Sequence, residues 1–259
     1  MGTCDGKVVL VTGASRGLGK GIAKMFAAEG ATVAMAARTV EPVEGYIGSL
    51  RETREEIETA GGRAVAIAAD LSSAETRATM FDEVVAAVGA PDILINNAAV
   101  TFLRPLDEFP EKRAQLMLQM HVLGPLQLTQ LAIPAMRERG AGWVCNLTSM
   151  AGERIPGPPF DAFDVNAGFG MYGTVKAALS RLTQSFAAEL HADNIAVNAV
   201  APFKPVATEG AASLDLAKED TEDISLTLEC VKYLCTSDPQ QVTGIIAQTQ
   251  PFLQSLGRL

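Results

Sequence analysis

Histidine is scarce here, two in 259 residues, and the four cysteines form no CxxC pair and have no histidine pair beside them. Structural zinc and iron–sulfur sites need such ligands at such spacings, so no metal is expected. Basic residues are in deficit too: 21 Lys and Arg stand against 30 Asp and Glu, a net charge of −9. A surface of that sign repels phosphate backbones and anionic lipid headgroups, which argues against nucleic acid or a membrane as partner. No apolar run reaches the roughly 18 residues of a spanning helix. The first strand begins by Lys7, leaving no room for a signal peptide, and neither a myristoylation motif nor a Ser-Lys-Leu ending is present. The expectation is a soluble, cytoplasmic protein.

Apolar residues, by contrast, make up 48% of the chain, enough for one large core. No linker or internal repeat divides it, so a single domain over 1–259 is expected. Short β-rich runs alternate with segments of helical period: Val8–Val11, Ala31–Ala36, Ala64–Ala68, Ile93–Ile95, Trp143–Leu147, Ile195–Val200 and Gly244–Gln248. They lack strict polar alternation, as strands covered on both faces do. The pattern predicts an α/β fold, one doubly wound Rossmann domain with a seven-stranded, mainly parallel sheet. Ligands of such sheets bind beyond the carboxyl ends of the strands.

At the first such end stands TGASRGLG, Thr12 to Gly19, between an apolar strand and an amphipathic helix expected over Gly19–Glu29. Glycines at 13, 17 and 19 allow positive φ and close backbone approach. The helix start near Leu18 offers free N–H groups and a positive dipole end to phosphates. A dinucleotide is therefore expected on Gly13, Ser15, Arg16, Gly17, Leu18 and Gly19. After the second strand, where binders of NAD usually carry an acid for the ribose hydroxyl, the chain has Arg38. Arg38 and Arg16 together suit a 2′-phosphate, hence NADP(H). Asp70, at the third strand end, reads equally as a helix N-cap or as a cofactor contact beside Leu71. The amides of Asn96-Asn97, ahead of Ala98, read as ties between loops or as ligand contacts.

Ser149 follows the fifth strand, and Tyr172 and Lys176 lie four apart on one helical face. A nearby ammonium lowers a phenol's pKa, so Lys176 would tune Tyr172 for proton transfer while Ser149 holds the carbonyl oxygen.

The order TGASRGLG, Asp70, NNAA, Ser149 and YGTVK resembles the short-chain dehydrogenase/reductase family over nearly the whole chain. The resemblance implies Ser149, Tyr172 and Lys176 as catalytic residues, and Asp70 beside the adenine with Asn97 on the adenosine-side loop. It also implies that Val206 and Thr208, in APFKPVAT, contact the nicotinamide carboxamide. The long segment Arg38 to Gly61 is similar to the hydroxysteroid-dehydrogenase-like branch. The family's subunits form dimers or tetramers, which would use helices expected over Glu111–Arg139 and Met171–Leu190. The expected activity is an NADP(H)-dependent interconversion of a secondary alcohol and a ketone, with a small-molecule carbonyl or alcohol substrate. The rivals are a reductase of acyl thioesters and a cofactor-binding scaffold or sensor without turnover.

Three departures stand out. The family's catalytic asparagine is matched by His121, which either joins a proton relay through a near-neutral pKa or only packs in its helix. Ser149 and Tyr172 are 23 apart, about ten residues beyond the family's usual interval. The inserted stretch brings Phe160, Phe163 and Phe169 to the substrate mouth, where they line a pocket or pack the loop. Phe203 replaces the usual glycine after Pro202. Substrate loops are expected at 150–171 and 203–226, and the acidic run Asp215, Glu219, Asp220, Glu222, Asp223 is expected to be a solvated face that disfavours highly anionic substrates.

Overall fold

The computed structural model of the chain describes residues 2–45, 47–208 and 220–259, with Phe163 described by its backbone alone. In chain order the elements are β1 Val8–Thr12, α1 Gly17–Ala28, β2 Thr32–Ala37, α2 Leu50–Thr59, β3 Arg63–Ala68, α3 Ala74–Val88 and β4 Ile93–Asn96. Then come α4 Glu111–Leu118, α5 Gly124–Arg139, β5 Gly142–Leu147, α6 Ala162–Asn166, α7 Gly170–Leu190, β6 Ile195–Ala201, α8 Ile224–Thr236, β7 Ile246–Gln248 and α9 Thr249–Ser255. The strands form one sheet in the order β3-β2-β1-β4-β5-β6-β7. Every pairing in it is parallel, so the sheet is wholly rather than mainly so.

Both sheet faces are covered, which explains the unbroken apolar strands. From β1, Val9 and Val11 point to one core with Ile22 and Phe26 of α1 and Val231 and Leu234 of α8. Leu10 points to the other, with Met80 and Val84 of α3, Leu128 and Met136 of α5, and Phe186 of α7. Strand order reverses between β1 and β4, opening a crevice beyond Thr12 and Asn96.

The helix expected over Glu111–Arg139 runs continuously through one irregular turn. Residues Gln119–Leu123 wind as a π turn between α4 and α5, with Gly124 N bonded to Gln119 O. The cause is Pro125, which has no N–H for the carbonyl of His121 and so favours a wider turn there. The insert before Tyr172 is not all loop either. Its stretch Ala162–Asn166, free of proline and glycine, forms α6. Asp215, Lys218 and Glu219 lie outside the described residues. Among the described residues, no helix is long and apolar enough to cross a membrane.

Candidate active site

The crevice is held open by glycine. Gly13 has φ +70°, and a Cβ there would lie 2.9 Å from Ala98 Cα; one on Gly19 would lie 2.2 Å from Gly13 O. Only hydrogen at both positions lets the β1–α1 turn meet the end of β4. Asn97 Nδ2 donates to Thr12 O (2.8 Å) and Gly13 O (3.1 Å), so the amide does tie the two loops. It also lines the cavity they enclose. Thr12, not singled out from the sequence, is the knot of the arrangement. Its buried hydroxyl donates to Ile95 O and accepts from Asn97 N and Ala98 N.

That cavity, about 310 Å³, is lined by Gly13, Ser15, Arg16, Arg38, Asp70, Leu71, Asn97 and Ala98. Asp70 accepts from Ser72 N (3.0 Å), which holds its carboxyl below the usual range, with a smaller contribution from Arg38. The cap of α3 is Ser73, one turn later than the N-cap reading of Asp70. Leu18 packs against the core instead of lining the cavity. Val206 is buried and bridges to Glu222. Thr208 lies against Gly17, with its Cβ 3.5 Å from where a Gly17 Cβ would stand.

Ser149, Tyr172 and Lys176 come together because β5 and α7 are locked side by side. Asn146 Nδ2 donates to Thr183 Oγ1, and Thr148 Oγ1 to Lys176 O. Ser149 stands near Tyr172, where its hydroxyl favours the phenolate. Lys176, buried, donates from Nζ to Leu147 O at 2.6 Å and sits 5.6 Å from the Tyr172 ring centroid. The electrostatics differ from the expectation of an ammonium that lowers the phenol. Burial pushes Tyr172 above its ordinary value, and only the Ser149 hydroxyl opposes it. Burial also brings Lys176 down to about 7, so its charge is itself marginal at neutrality.

His121 faces inward from the π turn and is buried. Its ring meets Tyr172 edge-on, centroids 6.0 Å apart. Nε2 donates to Val100 O (2.8 Å) in one tautomer and accepts from Val100 N (3.3 Å) in the other. Desolvation first, and Lys176 second, push its pKa down to about 3, below the near-neutral value on which the relay alternative rested. Below its ordinary value of 6.5 the unfolded chain takes up a proton that the folded chain refuses. Stability therefore falls as pH drops from about 6.5 towards about 3. His121→Asn should flatten that slope in urea unfolding between about pH 7 and 4. An unchanged slope would contradict the neutral, desolvated ring.

Of the inserted aromatics, Phe169 reaches the Tyr172 ring (5.9 Å), while Phe160 is exposed. The insert is pinned by Arg104 N donating to Gly168 O. Two further residues matter that sequence reasoning missed or misread. Arg77, buried in α3, bonds Leu71 O at the cavity floor and Gln119 in the π turn. Glu222, expected on a solvated acidic face, is instead 4% exposed. Its carboxylate accepts from Phe203 N, Lys204 N and Thr249 Oγ1, clamping the start of the 203–208 segment. Asp223 is the N-cap of α8, bonded to Ser225 N. The only clear signals for Arg77 were its charge in an amphipathic helix, and for Glu222 its place just before a cap.

The chain is similar along its whole length to the ketoacyl reductase HetN of Nostoc sp., with 29% identity and 84% of that protein covered. A metagenomic short-chain oxidoreductase in complex with NADP superposes with a TM-score of 0.77 at 29% identity, covering 95% of this chain and 97% of that one. A 7α-hydroxysteroid dehydrogenase complexed with NADH and 7-oxo glycochenodeoxycholic acid superposes at 0.82 with 27% identity, covering 95% and 93%. A family model for short chain dehydrogenases matches residues 7–219. With its parallel seven-stranded sheet, its glycine turn and its serine, tyrosine and lysine at one strand end, the chain belongs to the short-chain dehydrogenase family and is an oxidoreductase of that family.

Proposed function

We propose that this single-domain chain is an NADP(H)-dependent oxidoreductase that interconverts a secondary alcohol and a ketone, working in the cytoplasm as a homodimer or homotetramer. The observation that carries the reaction is the convergence of Ser149, Tyr172 and buried Lys176 where β5 and α7 lock together. The glycine cradle and the cavity lined by Arg16 and Arg38 fit a dinucleotide with a 2′-phosphate. Asp70, Leu71, Asn97 and Ala98 would hold its adenosine half, and Val206 and Thr208 its nicotinamide half. Bound there, the dinucleotide supplies or accepts the hydride. Ser149 donates a hydrogen bond to the substrate oxygen, and Tyr172 passes or takes the proton. Lys176 acts through its position beside Tyr172 and Leu147 O rather than by contact with substrate, and His121 fixes the Val100 backbone and the Tyr172 ring. Exposed Leu118 and Leu123, on the α4–α5 rod, support a subunit contact there.

Calorimetric binding of NADPH and NADH, with turnover of a panel of ketones and thioesters, tests the reading. NADPH should bind more tightly, and Arg38→Ala should cost NADPH about tenfold in affinity while leaving NADH unchanged. Tighter NADH binding removes the NADP(H) assignment. Binding without turnover over the panel favours the scaffold reading, and turnover confined to thioesters favours the acyl reductase.

A further inference from the structure

The stretch that follows β4 is tied to the active site at two points. Val100 is bonded to His121 Nε2, whose ring stands against Tyr172. Further on, Arg104 N donates to Gly168 O (3.1 Å), next to Phe169, whose ring also meets Tyr172. The second tie needs a glycine. Gly168 has φ +68°, and a Cβ there would lie 2.8 Å from Arg104 N. Leu106 then packs on the start of α7, where a Cβ on Gly170 would lie 2.7 Å from Leu106 Cγ. The extended chain from Val100 to Arg104 spans at most about 14 Å, so the stretch between the ties stays close to Tyr172.

That stretch borders a second cavity, of about 640 Å³, lined by Thr101, Phe102, Leu103, Arg104, Pro110 and Arg113. None of these residues lines the cofactor cavity. Two are basic and none is acidic. The Arg113 guanidinium lies over the Phe102 ring, 4.0 Å from its centroid, which orients it without neutralising it. Among the described residues no carboxylate pairs with Arg104 or Arg113, although Asp107, Glu108 and Glu111 are near in sequence. With 30 acidic residues available to 21 basic ones, two arginines left without a carboxylate at one cavity mark a place open to an anion.

We propose that this cavity receives a carboxylate of the substrate, so that the substrate is a ketone or secondary alcohol bearing one carboxylate at the far end of an apolar body. Arg104 and Arg113 hold the carboxylate, for which guanidinium forks are matched in shape and charge. Phe102 and Leu103 line the path of the apolar body. The net charge of −9 works against a multiply charged group such as a phosphate ester, which leaves a monocarboxylate as the better fit. The site rests on the oxidoreductase reading above and adds to it the class of substrate.

The test is steady-state kinetics of the full chain, with whichever nicotinamide cofactor the parent uses. The substrates are levulinic acid and its longer straight-chain methyl-ketone homologues, each beside its methyl ester. At the best chain length kcat/KM for the acid should exceed that for the ester by about tenfold or more. Arg104→Gln and Arg113→Gln should each lower the acid-to-ester ratio by about tenfold, mainly through KM. Arg113→Lys, which keeps the charge and loses the fork, should recover only part of it. An acid-to-ester ratio near one in the parent, or a ratio that neither glutamine variant changes, overturns the carboxylate site and leaves the oxidoreductase reading standing. Calorimetric binding of heptanoate, which has no ketone to reduce, separates the two readings. If no ketone turns over but both glutamine variants bind heptanoate about tenfold more weakly than the parent, the oxidoreductase reading falls and the carboxylate site stands. A parent that neither turns over a ketone nor binds heptanoate refutes both.

Discussion

Tyr172→Phe is expected to lower turnover by about a thousandfold or more while leaving NADPH affinity near that of the parent. The ring is fixed by three neighbours that phenylalanine keeps: Phe169 at 5.9 Å, His121 at 6.0 Å and the Lys176 ammonium at 5.6 Å. Deleting one hydroxyl there leaves the packing intact and removes only the proton donor. Because burial raises the phenol's pKa, Tyr172 carries its proton throughout the neutral range. Ketone reduction should accordingly hold steady through neutrality, and alcohol oxidation should rise as pH climbs towards the phenol's titration. Steady-state kinetics in both directions, with calorimetric NADPH binding as the control, measure this. Turnover within about tenfold of the parent would take the proton away from Tyr172.

Glu222→Ala should be the most destabilising single change outside the sheet core, by about 3 kcal/mol. The carboxylate is the shared acceptor of Phe203 N, Lys204 N and the Thr249 hydroxyl, and it is almost fully enclosed. Alanine removes the acceptor that Phe203 N, Lys204 N and the Thr249 hydroxyl share, leaving Phe203 N its bond to Thr249 Oγ1, and the segment that carries Val206 and Thr208 loses its anchor. For a chain of this size the loss corresponds to a fall of roughly 6–12 °C in thermal midpoint. Glu222→Gln keeps one carbonyl oxygen as acceptor and should recover about half of that. Thermal unfolding of the three proteins checks the series. A midpoint for Glu222→Ala within about 1 °C of the parent would mean that solvent replaces the carboxylate at no cost.

The contrast between these two residues shows where sequence reading worked. Tyr172 and Lys176 were legible because helical period alone puts residues four apart on one face, and both belong to one local motif. Glu222 looked like one more charge in an acidic run. Its role depends on Phe203 and Lys204, 18 to 19 residues upstream, and on Thr249, 27 residues downstream, none of which local pattern connects. His121 was left open between a proton relay and packing in its helix, and burial holds its pKa well below neutrality. The departure comes from burial at a π turn that Pro125 imposes, and desolvation is a property of the surroundings rather than of the side chain. Asn97 was left open between two roles, and its bonds to Thr12 O and Gly13 O, with Gly13 and Gly19 packed against it, account for the tie between loops.

By itself the sequence determined the sheet and helices, through apolar runs and periods that act over a few residues, and the set of groups able to do chemistry. The tertiary structure decided their charge states and partners: which carboxylate is buried, how far Lys176 and Tyr172 are desolvated, and which backbone carbonyl holds Lys176. The physical reason is range. Backbone conformation follows mainly from near neighbours, whereas solvation and hydrogen-bond pairing depend on whatever the fold brings within a few ångströms, however distant along the chain.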